Sequence, residues 1–250
     1  MNSAEKLIYI LKRLGEPPYE MGITELAHEM QVSKSCIHKI VTTLVEENLI
    51  VQNPTSKKYF LGPMLFRLGS VYSDLKGIWD IAKPVIKRLA VSTKQSVYIG
   101  IWDGTQAFMA YKIDGSSDFT LFKGLTGKKT QIHAGVAGKV LGAYQDIALI
   151  NKLLDEEELE PKTPRTIVTR EGILNEYRRI REQGYGISDE EHTVGVFGIG
   201  VPILDKNGKV WSCLCLGGRK AFFSEENTHL WIHNLKDGAE EISYRLGFRR

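Results

Sequence analysis

Two turn signatures constrain this chain more than any other feature. Asp103-Gly104 separates the strand-like runs 96–102 and 106–113, and Asp205-Lys206-Asn207-Gly208 separates 194–204 from 209–217. Such steps supply the positive-φ residues that tight hairpins need, so each pair of runs is expected to fold back on itself antiparallel. With helical patterns at 80–92, 134–144, 146–154, 170–183 and 224–246, and a loop then a strand over 125–132, this predicts a five- or six-stranded antiparallel sheet with helices packed on it.

The N-terminal quarter carries a different period. Leu7, Ile10, Leu11 and Leu14 fall at i, i+3, i+4 and i+7, one face of a helix that Ser3 is placed to cap and that Glu16-Pro17-Pro18 ends. A short helix over 24–30 buries Leu26, Ala27 and Met30. A third, opened by Ser33 as N-cap and running to about 48, buries Ile37, Ile40, Val41, Leu44 and Val45. Short extended runs at 49–52 and 59–61 flank Asn53-Pro54-Thr55-Ser56-Lys57-Lys58, which is turn chemistry with a basic tip. Leu65, Leu68 and Tyr72 then mark a connecting helix over 64–76. A chain of 250 residues holds one large domain or two ordinary ones, and the change of period places the division near residue 75.

Composition excludes several classes. The odd, sparse set of three cysteines is not a disulfide framework and fits a reducing cytoplasm. The polar opening Met1–Lys6 is expected not to be a leader, and no apolar run reaches the ~20 residues that cross a bilayer. Lys+Arg 33 against Asp+Glu 30 gives a net charge of +3, too mild by itself to mark a nucleic-acid binder.

Read by position, charge says more. Residues 1–62 hold seven basic and seven acidic side chains, yet no acid occurs over 30–45 or over 48–73. These windows cover the third helix and the hairpin. Ser33, Lys34, Ser35, His38, Lys39, Thr42 and Thr43 are short or basic hydrogen-bonding residues left on the outer face of that helix. A major groove about 12 Å wide admits such a helix, with lysines meeting phosphates. Lys57 and Lys58 at the hairpin tip would lie along the backbone or minor groove. This is the winged helix-turn-helix layout; the competing reading is a helical cap whose polar face is merely solvated.

At this point the residues resemble the IclR-type transcriptional regulators, over nearly the whole chain. The resemblance runs through Ile23-Thr24-Glu25-Leu26-Ala27, Val32-Ser33-Lys34-Ser35-Cys36-Ile37-His38-Lys39 and Lys58-Tyr59-Phe60-Leu61-Gly62. It continues in Ile132-His133-Ala134-Gly135-Val136-Ala137-Gly138-Lys139, Thr163-Pro164-Arg165-Thr166, Gly184-Tyr185-Gly186, Asp189-Glu190-Glu191-His192 and Gly195, in the expected order. It implies an α+β chain: a winged helix-turn-helix domain (1–62), a linker helix (63–77), and a GAF-like antiparallel-sheet domain with packed helices (78–250) that binds an effector and oligomerises. Carried over by position, the effector residues are Val136, Ala137, Ser188, Gly198, Cys215 and Gly217. Cys215, Gly217 and Gly198 depart from the hydroxyl-bearing or bulkier residues of members that bind small organic acids, which suits a larger or more aromatic ligand. The amides at the start of the 134–138 helix remain available to a carboxylate.

Other motifs have bland readings. Cys213 and Cys215 are expected to point to opposite faces of their strand and so not to clamp one metal. Cys213 is taken as core, and Cys215 as either core or pocket lining. His133 and His192 are read as hydrogen-bonded structural residues, with no metal and no cofactor. Gly195-Val196-Phe197-Gly198-Ile199-Gly200 lies inside a strand, so close packing of a backbone or ligand fits it better than a phosphate loop. Trp79, Trp102, Trp211 and Trp231 are assigned to core or dimer interface, with Trp102 and Trp211 also considered near the pocket. No serine elbow or acid/base pair is present, so an enzyme is not expected. The sequence predicts a cytoplasmic, homodimeric or homotetrameric regulator, a repressor rather than an activator. It would bind an operator in double-stranded DNA under control of an organic-acid or aromatic effector, with no membrane partner. The alternative is a metabolite sensor or enzyme whose N-terminal unit makes protein contacts.

Overall fold

The computed structural model describes residues 1–116, 126–156 and 158–249, the side chains of 73–76 excepted, and the chain forms two compact units, 1–77 and 78–250. Residue 125, expected to begin a loop, lies outside the described residues.

In the first unit, α1 (Ser3–Leu14) is capped by Asn2 rather than Ser3. The Asn2 side chain accepts from the Glu5 amide at 2.9 Å and the Glu5 carboxylate accepts from the Asn2 amide at 2.9 Å. This reciprocal pair requires the Asn-x-x-Glu spacing, which makes Ser3 the first helical residue. Helix α2 (Ile23–Glu29) and α3 (Lys34–Glu46) follow, and Ser33 caps α3 by accepting from the Cys36 amide at 3.3 Å. Strands β1 (Ile50–Gln52) and β2 (Tyr59–Leu61) pair antiparallel, Ile50 opposite Leu61. Ile10, Leu14, Leu26, Ile37, Val41, Leu44 and Ile50 form the buried core. Val45, expected inside, is exposed: Ile37, Val41 and Leu44 already fill the stripe, and Val45 falls at its edge. Helix α4 (Pro63–Lys76) leaves directly from Gly62, where a Cβ would stand 2.3 Å from the Asn48 carbonyl oxygen.

The second unit opens with α5 (Ile78–Thr93), then β3 (Ser96–Trp102), β4 (Ala107–Ile113) and β5 (Lys129–Thr130). Helices α6 (Val136–Ala143), α7 (Ile147–Glu156) and α8 (Arg170–Gln183) come next. They are followed by β6 (Gly186–Asp189), β7 (Val196–Leu204), β8 (Val210–Arg219) and α9 (Glu225–Arg245). Six strands lie in the order β5-β4-β3-β8-β7-β6, every named pair antiparallel. Both expected hairpins are present, β3 with β4 and β7 with β8. Strand β6 occupies the Gly186–Asp189 stretch for which no strand was anticipated, because four residues bounded by glycine carry too short a pattern.

Alternation along β3 shows how the sheet is covered. Val97, Ile99 and Ile101 join the core made with α5 and α9, while Tyr98 and Trp102 join the opposite core made with α6, α7 and α8. The same rule corrects the cysteines. Cys213 and Cys215 are two apart, and a period of two returns next-but-one residues to one face, so both thiols lie in the α6 core with their Sγ atoms 3.5 Å apart. Trp102 is buried in that core, whereas Trp79, Trp211 and Trp231 belong to the α5/α9 side; Trp79 stacks on Tyr111 with ring centroids 4.4 Å apart.

Helix α6 sits unusually close to its neighbours. Its N-cap is Gly135 at φ +84°, a conformation glycine adopts freely, and this delays the helix start by two residues from the expected position. A Cβ at Gly138 would lie 1.9 Å from the Gln131 carbonyl oxygen, so backbone passes over backbone there. Gly138→Ala is expected to destabilise the second unit by about 3 kcal/mol or more through overpacking that no rotamer relieves. Gly69→Ala in α4, where no atom lies within 4 Å of the added Cβ, is expected to stabilise its helix by roughly 0.5–1 kcal/mol. Urea unfolding of the full chain checks both.

Candidate functional site

Two surfaces carry the residues singled out above, one in each unit. On the first, Ser33, Lys34, Ser35, His38, Lys39, Thr42 and Thr43 are all exposed, six of them along α3 and Ser33 at its cap. Several hydroxyls are held by the helix itself: Thr42 Oγ1 donates to the His38 carbonyl at 2.9 Å and Thr43 Oγ1 to that of Lys39 at 3.3 Å. Such back-bonding fixes the rotamers and leaves oxygen lone pairs outward. The Lys34, Lys39 and Lys57 ammonium groups have no carboxylate partner among the described residues.

The hairpin tip is less purely basic than the linear charge pattern suggests. Lys58 Nζ meets Glu25 Oε1 at 2.7 Å, and Asn53 and Ser56 at the tip both hydrogen-bond Glu20. Two acids lying outside the acid-free windows thus reach the wing through space. The Gly22 amide and then the Lys58 ammonium hold the Glu25 carboxyl below its usual range. The Tyr9 hydroxyl and then the Arg13 guanidinium do the same for Glu29. Tyr9 is pushed up in return, chiefly by donating to Glu29.

The second surface is a cavity of about 220 Å³ enclosed by the start of α6, strands β3 to β8 and the segment after β6. Val136, Ala137, Ser188, Gly198 and Gly217 all line it. Cys215, the remaining residue carried over, does not. It lies fully buried opposite Gly200, two positions deeper along β8 than Gly217, which faces Gly198. Gly198 and Gly200 are small because α6 rests on them: a Cβ would stand 3.1 Å and 2.9 Å, respectively, from Val136 side-chain atoms. Neither Trp102 nor Trp211 reaches the cavity.

Tyr98 and Met109 add apolar surface, and among the described residues no aspartate or glutamate lines the cavity. Its polar groups are the uncapped start of α6, the Ser188 and Thr130 hydroxyls, His192 and Thr193, and the neighbouring Lys128 and Lys129. Ser188 is buried and its hydroxyl makes no hydrogen bond among the described residues; Thr130 Oγ1 is buried without a partner. His192 stands at the rim with Nδ1 3.0 Å from Thr193 Oγ1. Crowding by surrounding protein, then the charge of Lys162 and of His133, lowers its pKa below the ordinary 6.5. The start of α6, with no side-chain cap, and the Ser188 and Thr130 hydroxyls, which have no hydrogen-bond partner among the described residues, make a setting that accepts an anion with an apolar body.

His133 is buried and its Nε2 lies 3.1 Å from the Glu160 carbonyl. Among the described residues no three His, Cys, Asp or Glu side chains come together as a metal site. Tyr98, Met109, Thr130 and Phe197 were missed by sequence reasoning. They reach the cavity from four different strands and strand ends, and only the register Tyr98↔Cys215 and Gly198↔Gly217 brings them together.

Comparison with known proteins adds the decisive observation. Residues 71–244 match the family model "Bacterial transcriptional regulator IclR C-terminal", and residues 3–54 match "IclR helix-turn-helix domain". The chain belongs to the IclR family of bacterial transcriptional regulators. It is 30% identical over 248 residues to the HTH-type transcriptional regulator KdgR of Dickeya chrysanthemi, covering 99% of this chain and 81% of that one. The fold is shared with an IclR-type regulator from Silicibacter sp. TM1040, at TM-score 0.90 and 18% identity over 99% of this chain and 97% of the other. It is shared too with an IclR homologue from Microbacterium hydrocarbonoxydans solved with 4-hydroxybenzoate, at TM-score 0.80 and 16% identity over 98% and 99%. The relatives are named as regulators of transcription, so this family member is a DNA-binding regulator and not an enzyme. No described helix is long and apolar enough to cross a membrane.

The depressed carboxyls set an acid limit on the head. Their stabilising contribution is complete above the ordinary carboxylate value of 4.5 and is lost as pH falls through the lower folded values. Hydrogen exchange in α1, α2 and α3 of the full chain is expected to accelerate between about pH 5 and pH 3, beyond the intrinsic change, and the Glu29→Gln variant to show a shallower acid limb.

Proposed function

We propose that this regulator is a cytoplasmic, homo-oligomeric repressor whose operator binding responds to a small organic anion held in the α6 cavity. On this reading residues 1–62 are the DNA-binding head, 63–77 the linker and 78–250 the effector-binding and oligomerisation domain. One observation carries the ligand: a cavity with a helix start that has no side-chain cap, a buried Thr130 hydroxyl without a partner, a Ser188 hydroxyl with none among the described residues, and no carboxylate among the described residues of its wall. Its volume of about 220 Å³ suits a compact acid, a single ring or a short chain, and not a nucleotide or a polymer. The Microbacterium homologue, solved with an aromatic acid, supports the same class.

For DNA, the supporting feature is the exposed α3 face, whose Lys34 and Lys39 have no carboxylate partner among the described residues. Ser33, Lys34, Ser35, His38, Lys39, Thr42 and Thr43 would meet bases and backbone, and Lys57 and Lys58 phosphates. Repression is the economical outcome, because a head seated in a groove excludes other proteins with no further contact. Phe66, Leu68, Val71 and Tyr72 on α4 are each at least half exposed, and their burial against a second copy would pair the heads for a pseudo-palindromic operator. The three cysteines are free thiols, in keeping with the cytoplasm.

Binding to operator DNA at several salt concentrations tests this. Lys39→Ala and Lys57→Ala are each expected to reduce the salt slope by about one ion, and Lys58→Ala by less, because its charge already faces Glu25. A slope near zero in the wild type overturns the DNA reading in favour of a head that contacts protein.

For the ligand, thermal shift against 4-hydroxybenzoate and benzoate is the direct test. Occupancy at a hundred times Kd should add ~2.7 kcal/mol of apparent stability. Since a bound carboxylate favours the His192 cation, affinity is expected to rise as pH falls below 6.5 and this dependence to flatten in His192→Asn.

A further inference from the structure

Lys139 is charged, buried and unused by the reading above. It belongs to the first turns of α6, and its side chain is 1% exposed. Its ammonium lies 2.9 Å from Glu176 Oε1 on α8, 2.6 Å from Glu191 Oε2 and 2.5 Å from the Ile187 carbonyl oxygen. A buried ammonium is tolerated only with such a complete set of partners. Glu176 is in turn met from outside by Arg179, so the cluster alternates in sign from the interior to the surface.

The placement of these partners matters more than their number. Ile187 immediately precedes Ser188, and Glu191 immediately precedes His192; Ser188 and His192 both line the cavity. Lys139 itself follows Val136 and Ala137, which form the facing wall. One ammonium therefore joins the two sides of the cavity from behind. The outer side of the same segment is tied separately: Thr163 Oγ1 donates to the Glu190 carbonyl and Thr166 Oγ1 to that of Glu191, each at 2.6 Å.

We propose that Lys139 is a positioning residue of the ligand cavity: its ammonium fixes the separation between the start of α6 and the Ser188–His192 wall, and so sets the affinity for a small anion. Lys139 does not touch the ligand; it acts through the Ile187 carbonyl and the Glu191 carboxylate. The last clause rests on the cavity being the effector site, whereas the positioning itself does not. Burial holds the Glu191 carboxyl above its usual range in spite of Lys139, which marks how closed this cluster is to water.

The test uses the full chain. Lys139→Met alone strands two buried carboxylates and is the variant most exposed to misfolding, so Lys139→Met/Glu191→Met, which removes the nearer charge together with its partner, accompanies it. Glu191→Gln keeps an acceptor for the ammonium. Hydrogen exchange is measured across the chain, and benzoate affinity by calorimetry. In the double variant, exchange is expected to rise at least about tenfold in residues 186–193 and at the start of α6 while staying unchanged in α5 and α9, with Glu191→Gln close to wild type. Benzoate affinity is expected to fall by about tenfold to a hundredfold. Local exchange that rises when the wild type binds no benzoate supports the positioning role and removes the effector reading. A folded double variant with wild-type exchange in 186–193 overturns the proposal, and does so whether or not benzoate binds. A uniform rise across α5 and α9 also overturns it, because that is loss of global stability.

Discussion

The close seating of α6 on the sheet is the contact on which the second unit depends. Val136 rests where Gly198 and Gly200 have no side chains, Ala137 stands over Gly100, and Gly138 passes the Gln131 carbonyl at backbone distance. An alanine at several of these positions would force the helix outward, since close-packed interiors do not absorb an added methyl without displacement. With the helix this low, its first turn, which has no side-chain cap, lines the cavity together with Ser188 of β6 and Gly198 of β7. The cavity is the space left where the helix begins, and its polarity follows from which end of the helix faces it.

Much of this was legible beforehand, and the part that was not has a physical reason. The hairpins at Asp103-Gly104 and Asp205–Gly208 and the Ser33 cap were readable because each depends on a few adjacent residues, and α8 because its apolar residues keep a helical period. Strand β6 was not, since four residues between a glycine and a loop hold no period. The Cys213 and Cys215 placement was legible but misread: alternation inverts adjacent residues and restores next-but-one residues. The cavity's remaining wall was beyond sequence reasoning because Tyr98, Thr130 and Phe197 meet only through strand register. Lys139 could be read only as part of a motif, since a buried lysine looks like a surface lysine until its partners on α8 and β6 are placed.

Charge in the head shows the same division between local and spatial information. The acid-free windows over 30–45 and 48–73 are real in sequence, and α3 does present Lys34 and Lys39 without partners among the described residues. At the hairpin, however, Glu25 takes up the Lys58 charge and Glu20 holds the tip through Asn53 and Ser56. The wing is thus held by acids, and Lys57 has no carboxylate partner among the described residues. On the proposed DNA reading, a wing with one cation unpaired among the described residues places charge in a defined position, whereas a mobile tip with two would raise nonspecific affinity more than register.

On the proposed reading, these constraints bear on how occupancy of the cavity would alter the rest of the molecule. A ligand shifts a conformational equilibrium only by its differential affinity for the two states, so some wall of the cavity must differ between them. The sheet and α6 are poor candidates, being locked by backbone-level contacts that have no second arrangement within reach. The segment that follows β6, residues 190–193, is different. Beyond the Glu190 amide, which donates to the Val196 carbonyl at 2.9 Å, it is held largely by side-chain ties, Lys139 within and Thr163, Thr166, Arg165 and Lys220 without. Such ties can be exchanged one at a time without opening the core. On the proposed reading, a ligand bridging Ser188 and the α6 start would favour the arrangement in which all of them are made, and the adjustable element would lie at this wall.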